Sequence, residues 1–232
     1  MGLRELKKEQ TRQLIADTAW RLFADRGFDQ VTVAEVAREA QVAEATVFNY
    51  FASKEDLFYG RLEAFGTRLA DAVSARPPGE PALAAFRRAL LAEGGGLLGR
   101  AGTGDPEALA RLRTVNRIVA ASPALLAREQ QAITRNAEAL AAVLAADTGA
   151  PAGDLRPQVA ANALMGVHRA LVDYVRRRVL AGDEPARLAA DLRELASAAF
   201  ALLEHGLAGY AAKPPGMPAP SSQRPAARTA ER

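Results

Sequence analysis

Apolar and polar positions alternate along the N-terminal part of the chain with the spacing of amphipathic helices. Between about Glu5 and Asp25, apolar or small residues recur every three or four positions, at Leu14, Ile15, Thr18, Ala19, Leu22 and Phe23. Such a stripe predicts a helix with one buried face. Gly27 follows, and because glycine adopts the left-handed backbone that ends helices, the first helix is expected to stop there.

Two short helices are predicted next. Thr32 and Glu35 have the spacing of a capping box, in which the two side chains bond free N–H groups at a helix start. The inner face of the helix that they begin is formed by Val33, Val36, Ala37 and Ala40. After a break at residues 41–43, a third helix from about Glu44 to Tyr50 is expected to turn inward three apolar residues, Val47, Phe48 and Phe51.

Longer helices are predicted over the rest of the chain. Ser53 can cap a connecting helix over residues 54–74, whose apolar residues are Leu57, Phe58, Leu62 and Phe65. The prolines at 77, 78 and 81 then mark a domain joint. Asp105 and Ser122 each precede a proline, as N-caps do. Long helices are expected at about 155–180 and up to about 207, with a glycine-rich loop at 94–104 and a disordered tail at 213–232.

The amino-acid composition excludes some kinds of site but does not by itself indicate a function. The 232 residues include no cysteine, which excludes disulfides and thiolate metal sites. Neither a secretory signal nor a membrane span is expected, and we predict a cytoplasmic location. Residues 1–60 hold 8 Lys and Arg against 10 Asp and Glu, so bulk charge does not indicate a nucleic-acid partner. Basic residues cluster only at Arg4, Lys7, Lys8 and Arg12, which form either a DNA-binding arm or a solvated helix face.

Two short helices joined by about three residues and braced by a longer one have the layout of a helix-turn-helix unit. The second short helix of such a unit enters the major groove of DNA. The residues that it turns outward here are Glu44, Ala45, Thr46, Asn49 and Tyr50. Asn can bond two edge atoms of adenine, and the methyl groups of Ala and Thr can contact the thymine methyl. At the ends of these helices, Thr32, Tyr50 and Lys54 are suited to phosphate oxygens.

The sequence letters GF at 27–28, VTV at 31–33, TVFNYF at 46–51 and SKEDL at 53–57 together resemble the DNA-binding domain of the TetR family. The resemblance implies phosphate contacts by Thr32, Thr46, Tyr50 and Lys54 and base contacts by Ala45 and Asn49. With Val33 and Glu44 these residues make up the expected DNA-binding set. Gln41 replaces the usual turn glycine and Ala43 replaces the usual capping Ser or Thr, at a cost of roughly 1 kcal/mol each.

The resemblance continues in outline beyond the joint, where residues 113–128 resemble actinobacterial members of the family. It implies an all-α protein of about nine helices, with an arm and helix-turn-helix unit at 1–53, a connecting helix and hinge at 54–78, and a ligand-binding and dimerisation domain at 79–212. The last two long helices carry apolar residues on more than one face, which favours burial in a four-helix dimer contact. The predicted interface residues are Leu164, Leu171, Leu192, Leu195 and Ala199.

The predicted function is that of a dimeric repressor, which a small apolar or amphipathic effector releases from a palindromic double-stranded DNA operator. Candidate effector-binding residues are Phe86, Arg113, Asn116, Arg117, Asn162, Met165 and Arg169, of which the last three could face one cavity. Each could instead be satisfied at a helix surface or in the core. An activator, a co-repressor-dependent regulator, and a helical enzyme or carrier with a vestigial DNA-binding domain are the alternatives.

No catalytic residue, metal site or cofactor is predicted. The two histidines, His168 and His205, lie on different predicted helices without a set of partner residues. The glycines at 94, 96 and 99 have the spacing of a dinucleotide-binding loop, but they follow a helix rather than a strand.

Overall fold

The chain is helical throughout the part that the structure describes. The computed structural model describes residues 3–59, 64–92 and 106–206. In these ranges the helices are α1 Leu3–Arg26, α2 Val33–Glu39, α3 Glu44–Tyr50, α4 Lys54–Tyr59, α5 Ala64–Ser74, α6 Ala82–Leu90, α7 Pro106–Ala121, α8 Pro123–Thr148, α9 Arg156–Ala181 and α10 Pro185–His205. The all-α prediction is confirmed, with ten helices in these ranges against about nine expected.

Some predicted features lie outside the described residues. The connecting helix expected at 54–74 is present as α4 and α5, and residues 60–63 between them, Leu62 included, are not described. The glycine-rich loop at 94–104, the cap at Asp105 and the tail at 213–232 are not described either. Arg4 and Phe65 lie in described helices, but their side chains are not described.

Helices α1 to α4 enclose an aromatic core. Phe58 of α4 is 2% exposed, and its ring centroid lies 5.7 Å from that of Trp20 and 5.1 Å from that of Tyr59. The rings of Phe23 and Phe28 lie 6.2 and 6.1 Å from it. Phe28 reaches this core because α1 ends, as predicted, at a glycine with a positive φ of 84°. The aromatic core therefore fixes the position of α4 against α1.

The predicted buried stripe on α1 is correct except at Leu14. This side chain is 51% exposed, whereas Ile15 and Ala19 are fully buried and Thr18 is 6% exposed. Neighbouring residues on a helix point about 100° apart. The core covers the Ile15 side of α1 and leaves Leu14 in solvent.

The junction of α7 and α8, which we call the elbow (residues 117–129), also packs into the N-terminal core. Ile118, Val119 and Leu125 are 4%, 2% and 0% exposed among the residues of α1 to α4. Ser122 precedes α8 but makes no capping bond, contrary to the prediction. Its hydroxyl instead donates to Asp29 Oδ1 at 2.7 Å. The helix-turn-helix unit thus shares its core with a segment that the sequence assigns to the second domain.

A second core lies among α5, α6, α8, α9 and α10. Phe86 of α6 and Phe200 of α10 are fully buried there, with ring centroids 6.4 Å apart. Helix α9 packs along α8 and also contacts α10, α7 and α6. None of the described helices is long and apolar enough to cross a membrane. The described residues likewise contain no cluster of His, Asp and Glu that could hold a metal ion.

The start of α2 depends on the charge of Glu35. Its carboxylate accepts hydrogen bonds from the Thr32 N–H at 2.8 Å and the Thr32 hydroxyl at 3.0 Å. These bonds, with the nearby Arg26, hold the pKa of Glu35 below the ordinary 4.5. A carboxyl group whose pKa falls on folding stabilises the protein above its unfolded pKa, and this stability is lost as the pH falls through the folded pKa.

We therefore expect Glu35→Ala to lower the melting temperature near neutral pH and to have progressively less effect below pH 4.5. Thermal unfolding of both proteins across this pH range measures the difference. The control is Glu39→Ala at the other end of α2, where no capping box is present. A difference between Glu35→Ala and the unmodified protein that does not change with pH would contradict the expectation.

Candidate DNA-binding interface

Helix α3 presents an accessible polar face on top of the N-terminal core. Glu44, Ala45 and Asn49 are exposed, and Thr46 and Tyr50 are half-buried. On the opposite side, Val47 is 1% exposed and packs into the core. One buried anchor with small and polar residues outside is the arrangement by which a recognition helix reads the major groove. The five outward residues predicted for α3 are all accessible.

Phe48 was predicted to anchor α3, and this prediction is wrong. The side chain is 50% exposed, whereas Val47 and Phe51 are 1% and 4% exposed. A helix of seven residues buries only one narrow face, and Val47 occupies it. The exposed ring next to Asn49 adds apolar surface to the recognition face, where it is suited to a thymine methyl group.

The turn before α3 shows both departures from the family pattern. Gln41 has a positive φ of 56°, the conformation in which a glycine is usual. Ala43 is extended and makes no side-chain cap. The turn is held by backbone bonds instead, from Val42 N to Ala37 O at 3.0 Å and from Thr46 N to Ala43 O at 2.8 Å. The helix-turn-helix geometry is therefore kept without the usual turn and cap residues.

At the start of α2, Thr32 is exposed and Val33 is half-buried. The Thr32 hydroxyl accepts a bond from the Glu35 N–H at 3.2 Å and donates to the Glu35 carboxylate. The predicted capping box is thus present, with both of its bonds. Because the hydroxyl proton already has an acceptor, a phosphate contact by Thr32 would have to compete with Glu35.

Lys54, the first residue of α4, stands on the ring of Phe28. Its Nζ lies 4.3 Å from the ring centroid, within the range of a cation–π contact. Partial burial lowers the pKa of Lys54 from the ordinary 10.5, against the opposing effect of Asp29 and other nearby carboxylates. The aromatic ring holds the ammonium group in a fixed place at the edge of the unit, where a cation can bind phosphate.

A cleft of about 500 Å³ separates the start of α1 from the end of α3. Its lining residues are Glu5, Lys8, Glu9, Arg12, Asn49 and Tyr50. The Arg12 guanidinium lies over the Phe51 ring at 5.3 Å. Lys8 and Arg12 thus line the same cleft as Asn49 and Tyr50. The sequence left the basic cluster open as a DNA-binding arm or a solvated helix face, and these positions favour the arm for Lys8 and Arg12.

The predicted effector-binding residues do not come together in the described structure. Phe86 and Met165 are buried in the second core, at 0% and 2% exposure. Arg113, Arg117, Asn162 and Arg169 are exposed. The expectation that Asn162, Met165 and Arg169 face one cavity is wrong, because Met165 points into the core and the other two point outward. Asn116 is buried but bonded to Leu112 O at 2.8 Å and to Arg176 Nε at 3.3 Å.

The predicted dimer residues divide into two groups. Leu164, Leu171 and Leu192 are 5%, 4% and 0% exposed and belong to the core of the single chain, so they offer no surface to a partner. Leu195 is 41% exposed and Ala199 is half-buried. Burial of these stripes in a dimer contact stays a prediction for Leu195 and Ala199, because the other three residues pack within the single chain.

The fold and the recognition face define a helix-turn-helix transcriptional regulator. The profile described as "Bacterial regulatory proteins, tetR family" matches residues 15–59, and that of the "MftR C-terminal domain" matches residues 80–208. The chain belongs to the TetR family of DNA-binding regulators.

Relatives of known name support this assignment. The transcriptional regulator TcmR of Streptomyces glaucescens is 32% identical over 68% of this chain and 69% of its own length. MftR of Mycobacterium tuberculosis, named as a mycofactocin biosynthesis regulator, is 30% identical over 87% and 93%. In fold, the chain is similar to NalD, the secondary repressor of the MexAB-OprM efflux pump in Pseudomonas aeruginosa, with a TM-score of 0.54, 20% identity, and coverage of 82% and 97%.

Proposed function

We propose that this protein is a dimeric repressor that binds a palindromic operator and is released from it by a small molecule. The observation that carries the proposal is the accessible face of α3, where Asn49 follows Phe48 and lines a cleft with Arg12, while Lys54 is held on the Phe28 ring at the start of α4. Asn supplies a base-specific pair of hydrogen bonds, and the cations supply phosphate contacts. The membership of the TetR family supports the same function.

The dimer contact that we propose uses the outer faces of α9 and α10. After the buried residues are removed from the predicted set, Leu195 and Ala199 remain, and Val159 adds a side chain that is 64% exposed. Small residues are also exposed on these two helices, with Gly166 and Ala170 on the same side of α9 as Val159 and Ala198 next to Ala199 on α10. Small side chains let helices approach closely, and a two-fold pairing of the chain would present two recognition helices to successive half-sites.

We place the effector site in the second domain, among the helices around Phe86 and Met165. The apolar residues that make up that core favour an apolar or amphipathic effector. Release requires that the effector bind the form with misplaced recognition helices more tightly than the DNA-bound form. Dependence on a co-repressor would use the same parts with the opposite effector preference, whereas an activator would differ in its effect on transcription once bound.

The test of the proposed function is selection of genomic fragments by the purified full-length protein, followed by sequencing and by titration of the enriched site. We expect an inverted repeat whose binding weakens steeply with salt. Transcription in vitro from a promoter carrying that site separates repression from activation. If no sequence is enriched at any salt concentration, effector-released repression is contradicted, and either a co-repressor is required for binding or the protein is a helical carrier with a vestigial DNA-binding domain.

Lys54 is expected to contribute one phosphate contact in each half-site. Lys54→Ala should weaken binding to all sequences by a similar factor, and should reduce the slope of log affinity against log salt by about 1 per half-site. Fluorescence titration at several salt concentrations measures this slope. The control is Arg187→Ala, which removes an exposed cation on α10, outside the helix-turn-helix unit. An unchanged slope for Lys54→Ala would show that Lys54 does not bind phosphate.

A further inference from the structure

Neighbouring residues at the start of α8 make ion pairs with two different parts of the molecule. Arg128 Nη2 lies 3.0 Å from Asp56 Oδ1 of α4, and the two side chains are 15% and 24% exposed. Glu129 Oε1 lies 2.6 Å from Arg176 Nη2 of α9, and these side chains are 24% and 12% exposed. Adjacent helix positions point about 100° apart, so one turn of α8 links the helix-turn-helix unit to the core of the second domain.

Each end of this link is held by further contacts. Arg176 also bonds the Asn116 carboxamide of α7 at 3.3 Å and lies 3.4 Å from Asp173. At the other end, the Asp56 N–H donates to Ser53 Oγ at 3.1 Å, next to Lys54. The Tyr59 hydroxyl at the end of α4 donates to Leu125 O of the elbow at 3.0 Å. In addition to the apolar packing of each helix, α4 is thus held by α8, and the N-terminal part of α8 is held by Arg176.

We propose that Glu129, Arg128 and Arg176 are positioning residues for DNA binding, which hold Lys54 against its phosphate through Asp56. This inference rests on the proposed function, because it assigns a phosphate to Lys54. Breaking the Glu129–Arg176 pair frees the second turn of α8, and Arg128 then no longer fixes Asp56. The start of α4 loses its orientation although none of its own residues has changed.

We call the chain of contacts from Arg176 through Glu129, Arg128 and Asp56 to Lys54 the relay. The relay and simple electrostatics predict opposite changes in DNA affinity for Glu129→Gln. Gln has nearly the same shape as Glu but no negative charge, so long-range electrostatics alone predicts tighter binding to DNA. The relay predicts the opposite, a weakening by about threefold to thirtyfold. It also predicts that the salt slope falls as it does in Lys54→Ala, although no cation has been removed.

The experiment uses the full-length protein with Glu129→Gln, Asp56→Asn, Lys54→Ala and the two double variants that pair Glu129→Gln with each of the others. In DNA-free protein, hydrogen exchange followed by mass spectrometry should show faster exchange at residues 53–59 in Glu129→Gln. In titrations of the selected operator, adding Glu129→Gln to Asp56→Asn or to Lys54→Ala should weaken binding no further, because the relay is already broken in each single variant. Glu129→Asp should restore part of the affinity, because it keeps the charge.

The matched control is Glu107→Gln, which removes a carboxylate that is 77% exposed and pairs with Arg111 at the far end of α7. It should leave both the exchange at residues 53–59 and the affinity unchanged. Unchanged exchange at residues 53–59 in Glu129→Gln, or double variants in which the two losses of affinity simply add, would overturn the relay. Because the exchange measurement needs no DNA, failure of the relay is distinguishable from failure of the proposed function.

Discussion

Phe58→Ala is expected to lower the free energy of unfolding by about 3–5 kcal/mol, the range seen when a buried Phe is truncated. The ring is 2% exposed and lies within 6.2 Å, between centroids, of four other aromatic rings, so its removal leaves a cavity that rigid neighbours cannot fill. Chemical denaturation at a fixed protein concentration measures the loss, since a dimer's stability depends on concentration.

The matched control for this prediction is Phe48→Ala, ten positions earlier on α3. Its ring is 50% exposed and fills no cavity, so the truncation should change stability by less than about 0.5 kcal/mol. The same variant should weaken operator binding if the exposed ring contacts a thymine methyl. Equal losses of stability for the two variants would contradict the positions that the structure gives to these rings.

Asn49→Ala is expected to weaken operator binding by about tenfold to a hundredfold, because a pair of hydrogen bonds to one base contributes about 1–3 kcal/mol of discrimination. The loss should be confined to sequences that carry the preferred base at one position of each half-site. Titration of an operator series with every base at that position gives both the size of the effect and its specificity.

Asn136→Ala is the matched control, since Asn136 is an Asn on α8 that belongs neither to the recognition face nor to the proposed dimer contact. It should bind every operator as the unmodified protein does. If Asn49→Ala weakens binding to all sequences by the same factor, Asn49 contacts the DNA backbone rather than a base edge, and the assignment of base recognition to this residue is wrong.

The features that the sequence predicted well are those encoded within a few residues. The capping box of Thr32 and Glu35, the positive φ of Gln41 and the left-handed Gly27 each depend on local backbone geometry and a small set of suitable residue types. The outward face of α3 was predicted for the same reason, because residue spacing on a helix determines which positions share a face.

The errors arose where burial depends on which distant segment covers a face. Phe48 lies in a helix of seven residues. So few turns do not show from apolar spacing alone whether a Phe is on the buried or the exposed face. Leu164, Leu171 and Leu192 form the expected stripes, but a stripe does not say whether the same chain or a second copy covers it. In this structure the same chain does.

Polar contacts across long sequence separations were also beyond prediction. Ser122 precedes a proline and has the residue type of a cap, yet its hydroxyl bonds Asp29, 93 residues away. The pairing of Arg128 with Asp56 spans 72 residues. Neither pairing leaves a pattern along the chain, because a single surface ion pair or hydroxyl bond imposes no spacing on its neighbours.

The elbow bears on how hybrid regulators could be assembled from this protein. A splice at residue 78 would transfer α1 to α5 to a foreign sensor while leaving behind Ile118, Val119 and Leu125, which are buried in the same cluster as the aromatic core. The hydroxyl partner of Asp29 and the carbonyl partner of Tyr59 would stay behind as well. A working graft would have to carry the donor's side chains at residues 117–129 into the recipient, so the transferable DNA-reading cassette is discontinuous along the chain.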